Sequence, residues 1–199
     1  MHRISSMCLE AGVAALILFP IFLALNWRKA CCLRRTAECV VFSVYLAAVD
    51  AVVGLPNVTY VRFDLNLNLM PFAYMFSDAT TSLLNVALFL PLGFLLPILC
   101  QKFRKLHWTV LFGFCASLLI ELLQIFTFRA TDVNDLITNT VGTILGWCAA
   151  RVVFWLFPGI TPKWSLREIF LVCFLTLGVM FFLQPFLARS VSELLGIPI

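Results

Sequence analysis

About six apolar runs of roughly 18–20 residues dominate this chain and limit what it can fold into. A run of this length, wound as an α-helix, crosses the hydrocarbon core of a bilayer with its backbone hydrogen bonds satisfied internally. Hydrophobic residues make up 62% of the chain and charged residues 12%. We therefore predict an all-α, polytopic transmembrane bundle that forms a single membrane domain over residues 1–199. The predicted spans cover residues 7–25, 37–55, 83–100, 108–126, 136–157 and 168–187.

Basic residues concentrate in alternate connections between these spans. The connections after the first, third and fifth spans, with the adjoining helix ends, hold Arg28, Lys29, Arg34, Arg35, Lys102, Arg104, Lys105, Arg151, Lys163 and Arg167. Because lysine and arginine accumulate on the cytoplasmic side of membrane proteins, both termini are predicted to lie outside. The same placement accounts for the net charge of +4, so we expect no nucleic-acid binding.

The connection from residue 56 to residue 82 is the longest on the predicted outer side. Its stretch from residue 66 to residue 72 is too apolar for a free loop and too short to cross a membrane. We predict that it forms a re-entrant or interfacial segment over the outer face of the bundle.

The cysteine pattern argues against metal binding. Eight cysteines and two histidines are present, but no two cysteines have Cys-x-x-Cys spacing. Most of the cysteines fall within apolar runs, where a thiol packs like a small apolar group. We predict no metal site, no disulfide framework and no cofactor.

One polar stretch interrupts the apolar sequence around the predicted fourth and fifth spans. It reads Glu121-x-x-Gln124 and then Arg129-x-x-Asp132-x-x-Asp135-x-x-x-Asn139-x-x-Gly142-x-x-x-Gly146. An acidic side chain at the centre of a membrane helix costs about 2.5–3.5 kcal/mol, so such residues are candidates for a functional site. Helical spacing places Glu121 and Gln124 on one face of the fourth span, and Asp135 and Asn139 on one face of the fifth. The two glycines would let these helices pack closely and bring the four polar side chains together.

Structural roles compete with functional ones at these positions. Either Thr131 or Asp132 could cap the N-terminus of the fifth span. Glu121 could be a buried carboxylate that pairs with Arg129 or Arg62 and holds the bundle together. Both alternatives stay open at this stage, because ion pairs and binding sites both gather charges.

The predicted third span carries a second polar feature. Asn85, Phe89 and Gly93 share one helix face by four-residue spacing. Pro91 lacks a backbone donor and predicts a kink. A kink beside a polar face would open a pocket, which Arg62 and Asn68 would approach from the outer connection.

Three motifs in this part of the chain are similar to those of the VanZ-like membrane proteins. They are Asn68-x-x-Pro71-Phe72, Asn85-x-x-x-Phe89-x-Pro91-x-Gly93 and the polar pattern from Glu121 to Gly146. The resemblance as a whole runs over about residues 62–146. The resemblance implies a protein of the bacterial cytoplasmic membrane that is associated with resistance to lipoglycopeptide antibiotics such as teicoplanin. It implies no particular reaction.

Three functions are compatible with the polar stretch. The leading hypothesis is an outward-facing polar pocket that binds a membrane lipid, a lipid-linked envelope precursor or a lipidated antibiotic. Its predicted ligand-binding residues are Arg62, Asn68, Asn85, Glu121, Gln124, Arg129, Asp132, Asp135 and Asn139. The second is an enzyme acting on an envelope lipid, with Glu121, Asp132 and Asp135 as candidate acid, base or cation-holding groups. The third is a small transporter, which is disfavoured because the polar groups lie at one side of the membrane and no repeat is visible.

Overall fold

The computed structural model describes residues 2–27, 32–63, 67–68, 70–72, 79–127 and 131–195. Within these ranges the chain forms seven α-helices: α1 (His2–Asn26), α2 (Cys32–Val53), α3 (Ala79–Leu99), α4 (Leu106–Gln124), α5 (Val133–Leu156), α6 (Leu166–Phe182) and α7 (Gln184–Leu195). Two-residue strands β1 (Leu67–Asn68) and β2 (Thr131–Asp132) pair in parallel, and a 3₁₀ helix (Gln101–Arg104) connects α3 to α4. The predicted all-α fold is confirmed.

Four of the helices are long and apolar enough to cross a membrane, judged over the described residues: α3, α4, α5 and the Leu33–Val53 part of α2. A fifth span results if α6 and α7 are counted together, although the chain bends by 56° between them. The apolar part of α1, Ala11–Asn26, is shorter than the others. The protein is thus a polytopic helical membrane protein with four or five spans by this measure, where the sequence predicts about six.

Large apolar side chains also cover the outside of the helices. Leu122 of α4, Leu145 of α5 and Phe174 of α6 are all exposed. An apolar surface of this extent is unfavourable in water, but it matches the acyl chains of a bilayer. The outside of the bundle therefore supports the membrane assignment independently of helix length.

The chain divides into two compact units, Met1–Val61 with Glu168–Ile199, and Arg62–Arg167. In the first unit α1 packs against α2 and α7. Leu18, Phe22 and Phe42 are fully enclosed there. Arg35 of α2 forms an ion pair with Glu168 near the start of α6.

The predicted sixth span is a broken helix. Pro185 lies one residue into α7 and has no N–H, so the carbonyl of Phe181, four residues earlier, has no helical donor. The backbone N–H of Val58 donates to this carbonyl instead, at 3.1 Å. The break between α6 and α7 therefore leaves the freed acceptor satisfied within the first unit.

In the second unit α5 packs closely against α3. Gly142 and Gly146 of α5 lie against the backbone carbonyls of Val86 and Leu90, and the order of these contacts shows that the two helices run parallel. A Cβ atom on either glycine would overlap a carbonyl oxygen of α3. The small side chains therefore serve close helix packing, as predicted, but the neighbour is α3 rather than α4.

A different face of α5 meets α4. Asn139 donates from Nδ2 to Oγ of Ser117 at 2.9 Å, and the side chain of Thr143 lies against Gly113. These contacts order α4 antiparallel to α5. The prediction that Gly142 and Gly146 face α4 is wrong. Residues 139 and 143 are offset around the helix from residues 142 and 146, so the first pair contacts α4 and the second pair contacts α3.

The pocket predicted beside Pro91 stays a prediction. α3 is a continuous helix from Ala79 to Leu99, with Pro91 and Pro97 inside it. The backbone of Thr143 lies directly against Gly93, on the face of α3 that Gly93 shares with Asn85 and Phe89. At Gly93, therefore, the α5 backbone covers this face of α3.

Candidate functional site

Glu121 lies in the last turn of α4 and is only 4% exposed. Its Oε2 accepts a hydrogen bond from the backbone N–H of Asp132 at 2.9 Å, and its backbone carbonyl accepts one from Oγ1 of Thr131 at 3.0 Å. These two bonds hold the end of α4 against the start of α5. No described basic side chain, Arg62 included, forms an ion pair with Glu121.

Asp132 is the N-cap residue of α5, as one of the sequence interpretations proposed. Its Oδ1 accepts hydrogen bonds from the backbone N–H of Asn134 at 2.8 Å and from the Asn134 side chain at 2.9 Å. Its Oδ2 accepts from Nδ2 of Asn68 at 3.0 Å. Since both carboxylate oxygens already have protein partners, the contacts of Asp132 are those of a structural group.

Asn134 was not predicted as a site residue, yet it anchors the outer connection. It is buried, its Oδ1 accepts from the backbone N–H of Phe72 at 2.6 Å, and its Nδ2 donates to the carbonyl of Met70 at 3.4 Å. Phe72 has a positive φ of 63°, the left-handed region that non-glycine residues rarely adopt. The signal available in the sequence was the Asp132-x-Asn134 spacing at a helix start, where such side chains bind backbone groups.

Residues 62–72 belong to the connection predicted to lie outside, and their described parts are here named the outer segment. They lie over the turn between α4 and α5. The N–H of Arg62 donates to the carbonyl of Phe126 at 3.0 Å, and β1 pairs with β2 further along. The apolar side chains of Phe63, Met70 and Phe72 are exposed. Residues 64–66, 69 and 73–78 lie outside the described residues, so the predicted re-entrant or interfacial form of this connection stays a prediction.

Three amide side chains of the second unit have a buried atom without a hydrogen-bond partner among the described residues. These atoms are Nδ2 of Asn85, Oε1 of Gln124 and Oδ1 of Asn139, and the last two residues are each 4% exposed. A buried polar atom without a partner costs about 1–3 kcal/mol, and native proteins rarely leave one unsatisfied. The three amides therefore have hydrogen-bonding capacity left for a group outside the described chain.

Asp135 completes the acidic end of the unit. It lies in the first turn of α5, and its carboxyl, like that of Asp132, is close enough to act electrostatically on Glu121. A negative charge at this position is favoured by the partial positive charge of the helix N-terminus. Three of the predicted acidic residues are thus brought to the same end of α4 and α5.

The remaining predicted residues and groups have separate outcomes. Arg62 has an exposed side chain on the outer segment. Arg129 lies outside the described residues, so its pairing with Glu121, Asp132 or Asp135 stays a prediction. Over the part of the chain that the structure describes, no group of three or more His, Cys, Asp or Glu side chains is arranged to hold a metal ion.

An open groove of about 470 Å³ lies in the first unit along the C-terminal part of α1. Its lining consists of Pro20, Leu23, Ala24, Leu25 and Trp27. None of the predicted site residues contributes to it. Its side chains are apolar apart from the indole N–H of Trp27, so the groove offers little polar recognition.

The fold and the polar end together define a small polytopic α-helical membrane protein with acidic and amide side chains gathered at one end of a three-helix unit. A model of the VanZ/LLP1 family matches residues 39–155, and the chain belongs to this family. The match begins within α2, earlier in the chain than the predicted resemblance over residues 62–146. It includes the whole of α3, α4 and α5 except the last residue of α5.

A curated relative gives the same indication. The chain is 39% identical over 84 residues to Protein VanZ of Enterococcus faecium, a match that covers 41% of this chain and 50% of that protein. The chain thus spans about half the length of this relative. No solved structure matches the chain.

Proposed function

We propose that this protein is a resistance-associated protein of the bacterial cytoplasmic membrane that binds the polar part of a lipid-linked or lipidated envelope molecule at the outer leaflet. The observation that carries the proposal is the set of buried amide atoms without partners in the same helical unit as the acidic end. A ligand that supplied the missing donors and acceptors would recover the free energy that these unsatisfied atoms cost. Membership of the VanZ/LLP1 family supports the link to resistance.

The distribution of charge supports an outward orientation of this end. α4 runs antiparallel to α3 and α5, so Glu121, Asp132 and Asp135 lie at one end of the second unit. Lys105 and Arg151 lie at the other end, near the start of α4 and the end of α5. Because basic residues favour the cytoplasmic side, the acidic end is expected to face outward, with both chain termini outside.

The chemistry of the site suits a ligand that is rich in hydroxyl, amide or ammonium groups. Carboxylates such as Glu121 and Asp135 accept hydrogen bonds from these groups, and the free amide atoms offer both acceptors and a donor. Arg62 and Arg129 would hold a phosphate or carboxylate of the same molecule through bidentate contacts. Acyl chains of a lipidated antibiotic such as teicoplanin, or of a lipid-linked precursor, would lie along the apolar outside of the helices.

The test replaces unsatisfied amides by apolar side chains of similar size. Gln124→Met removes a buried atom that has no described partner, so this variant should melt at the same temperature as the wild type or higher. Asn139→Leu removes such an atom too but also breaks the bond from Nδ2 to Oγ of Ser117, so it should melt somewhat lower while still folding. If the amides bind the ligand, both variants should lose teicoplanin tolerance when expressed in a susceptible bacterium. Survival and melting of the detergent-solubilised protein are measured side by side.

The matched control is Thr176→Val, which removes a buried hydroxyl without a described partner from the first unit. It should keep both stability and tolerance. If Gln124→Met and Asn139→Leu are expressed normally and keep full tolerance, the two amides do not bind the ligand. Loss of tolerance in the control as well would show that tolerance follows protein abundance and not the site.

The proximity of Glu121 and Asp135 favours one second candidate, an enzyme acting on an envelope lipid. Glu121 is buried, whereas Asp135 lies in the first turn of α5, so the two carboxyls have different environments. Two carboxyls in different environments can act as general acid and general base. Glu121→Gln and Asp135→Asn keep size and most hydrogen bonds. Catalysis would be established if the purified wild type converts an envelope lipid to a product and both variants are stable but inactive. Lipid binding without product formation would instead support the proposed binding protein.

A further inference from the structure

The end of the second unit opposite the acidic residues carries a group of basic side chains, here named the basic end. It consists of Lys102, Arg104 and Lys105 between α3 and α4, and Arg151 of α5. The indole Nε1 of Trp147 in α5 donates to the carbonyl of Arg104 at 3.3 Å, which ties the 3₁₀ helix to α5. These cations therefore belong to one structured surface and not to a free loop.

No acidic side chain neutralises this surface from within its own segments. The segments that build it, residues 92–120 and 136–167, contain no aspartate or glutamate. The preference of basic residues for the cytoplasmic side explains why cations lie at this end, but it does not explain why they lie on aromatic rings. Groups of uncompensated cations at a membrane surface attract anionic lipids by about 1 kcal/mol for each Lys or Arg.

Three of the cations sit on aromatic rings. Nζ of Lys102 lies 3.8 Å from the ring centre of Trp108, the guanidinium carbon of Arg104 lies 4.0 Å from that of Phe154, and Arg151 lies 5.6 Å from Trp147. A cation is attracted to the face of an aromatic ring, and this contact stabilises its position. The N–H groups at the edge of a guanidinium stay available for an anion.

Arg104 is the best-placed of these groups. Its side chain is half-buried on the enclosed ring of Phe154, and its guanidinium makes no hydrogen bond or ion pair with a described residue. A positioned guanidinium without an acidic partner matches the geometry of a phosphate, which it binds through two parallel hydrogen bonds. Trp155, 80% exposed at the same end of α5, offers an amphipathic ring at the headgroup level of a bilayer.

We propose that the basic end is a binding site for the phosphate of an anionic glycerophospholipid headgroup in the inner leaflet, with Arg104 and Lys102 as its principal ligands. The apolar outer faces of α4 and α5 lie beside it and take up the acyl chains. This site is independent of the function proposed for the acidic end. A phosphate bound by Arg104 and Lys102 would supply a counter-ion at the connection between α3 and α4.

The experiment measures retained lipid by native mass spectrometry. The full-length protein in detergent is mixed with equal amounts of phosphatidylglycerol and phosphatidylcholine. A second sample of the same mixture also receives inorganic phosphate at the lipid concentration. The wild type should retain phosphatidylglycerol over phosphatidylcholine. Arg104→Gln and Lys102→Gln should each retain about tenfold less, because a charge-assisted contact is lost.

The matched control is Arg34→Gln, which removes an exposed arginine that already pairs with Glu38 at 3.0 Å. It should retain lipid as the wild type does. Lys102 is exposed, so Lys102→Gln keeps the proposal testable if Arg104→Gln proves unstable. Equal retention of the two lipids, unchanged retention in the folded Lys102→Gln variant, or displacement of the lipid by inorganic phosphate would each overturn the proposal.

Discussion

Asp132 combines several structural roles at the scale of single residues. It is the N-cap residue of α5, and its Oδ1 accepts from the backbone N–H of Asn134. Its Oδ2 accepts from Nδ2 of Asn68 in the outer segment. Its backbone N–H also donates to Glu121, so one residue connects α4, α5 and the outer segment. A carboxylate so fully engaged has little capacity left for a ligand, which leaves Glu121 and Asp135 as the stronger functional candidates among the acids.

Replacing Asp132 by alanine should therefore destabilise the protein. The lost cap costs about 1 kcal/mol, and the lost bond to Asn68 adds about as much again. Asp132→Asn is the control for the cap, because asparagine caps helices as well as aspartate does, but its amide N–H₂ cannot accept from Nδ2 of Asn68. This variant should therefore lose only the second contribution. Reversible unfolding in mixed micelles should show a coupling between Asp132→Ala and Asn68→Ala in a double-mutant cycle, and purely additive effects would contradict the contact.

Phe72 offers a second prediction at this scale. A positive φ of 63° is strained for phenylalanine but costs glycine nothing, and its 62% exposed side chain contributes little packing. Phe72→Gly should thus be neutral or stabilising by up to about 1 kcal/mol, while the backbone bond to Asn134 remains. Phe63→Gly, which removes a similarly exposed ring on the same segment, serves as the control and should not stabilise. A fall in melting temperature for Phe72→Gly would mean that the ring itself holds the outer segment.

At the scale of elements, α5 organises the second unit because it presents two distinct faces. Gly142 and Gly146 let the α3 backbone approach until carbonyl oxygens stand where side chains would otherwise be. Asn139 and Thr143 face α4 through polar contacts. Packing of this kind stabilises helices in lipid, where the hydrophobic effect between helices is absent.

Adding one methyl group to the glycine face should separate α3 from α5. Gly146→Ala places a Cβ against the backbone of Leu90 and Phe94, neither of which can move aside as a side chain does, so we expect a loss of about 1–3 kcal/mol or more. Gly178→Ala in α6 is the matched control, since a Cβ there meets no atom within 4 Å. Thermal melting in detergent should rank Gly146→Ala well below the wild type and Gly178→Ala level with it. Equal melting of the two variants would mean that the close helix contact contributes nothing to stability.

At the scale of the whole molecule, the second unit is electrically polar. Its described acids gather at one end and its described cations, apart from Arg62, lie toward the other. Opposite charge at the two ends of a membrane bundle sets its orientation through the positive-inside preference. The proposed site and the proposed lipid site are therefore predicted to face the outer and the inner leaflet, respectively.

Labelling in intact cells checks this orientation. In a variant without the natural cysteines, a cysteine at Thr131 should react with a membrane-impermeant maleimide added outside the cell. A cysteine at Lys105, its control, should react only after the membrane is opened. The reverse pattern would place the acidic end in the cytoplasm and remove the basis for an outward-facing site.

The sequence by itself determined the helical, membrane-spanning class, the approximate positions of most of the spans and the family. Apolar runs, helical spacing and motif spacing are local properties that a single chain displays directly. Only the tertiary structure decided which neighbour each face of α5 meets. It also decided that Asn68 donates to Asp132 and that the N–H of Phe72 donates to Asn134. In the same way, it showed that Val58 donates to the carbonyl that Pro185 leaves without a helical donor. These contacts join residues far apart in the chain, and their partners are selected by backbone approach and hydrogen-bond geometry. Helical spacing gives the face on which a side chain lies, but it does not give the identity of the element that covers that face.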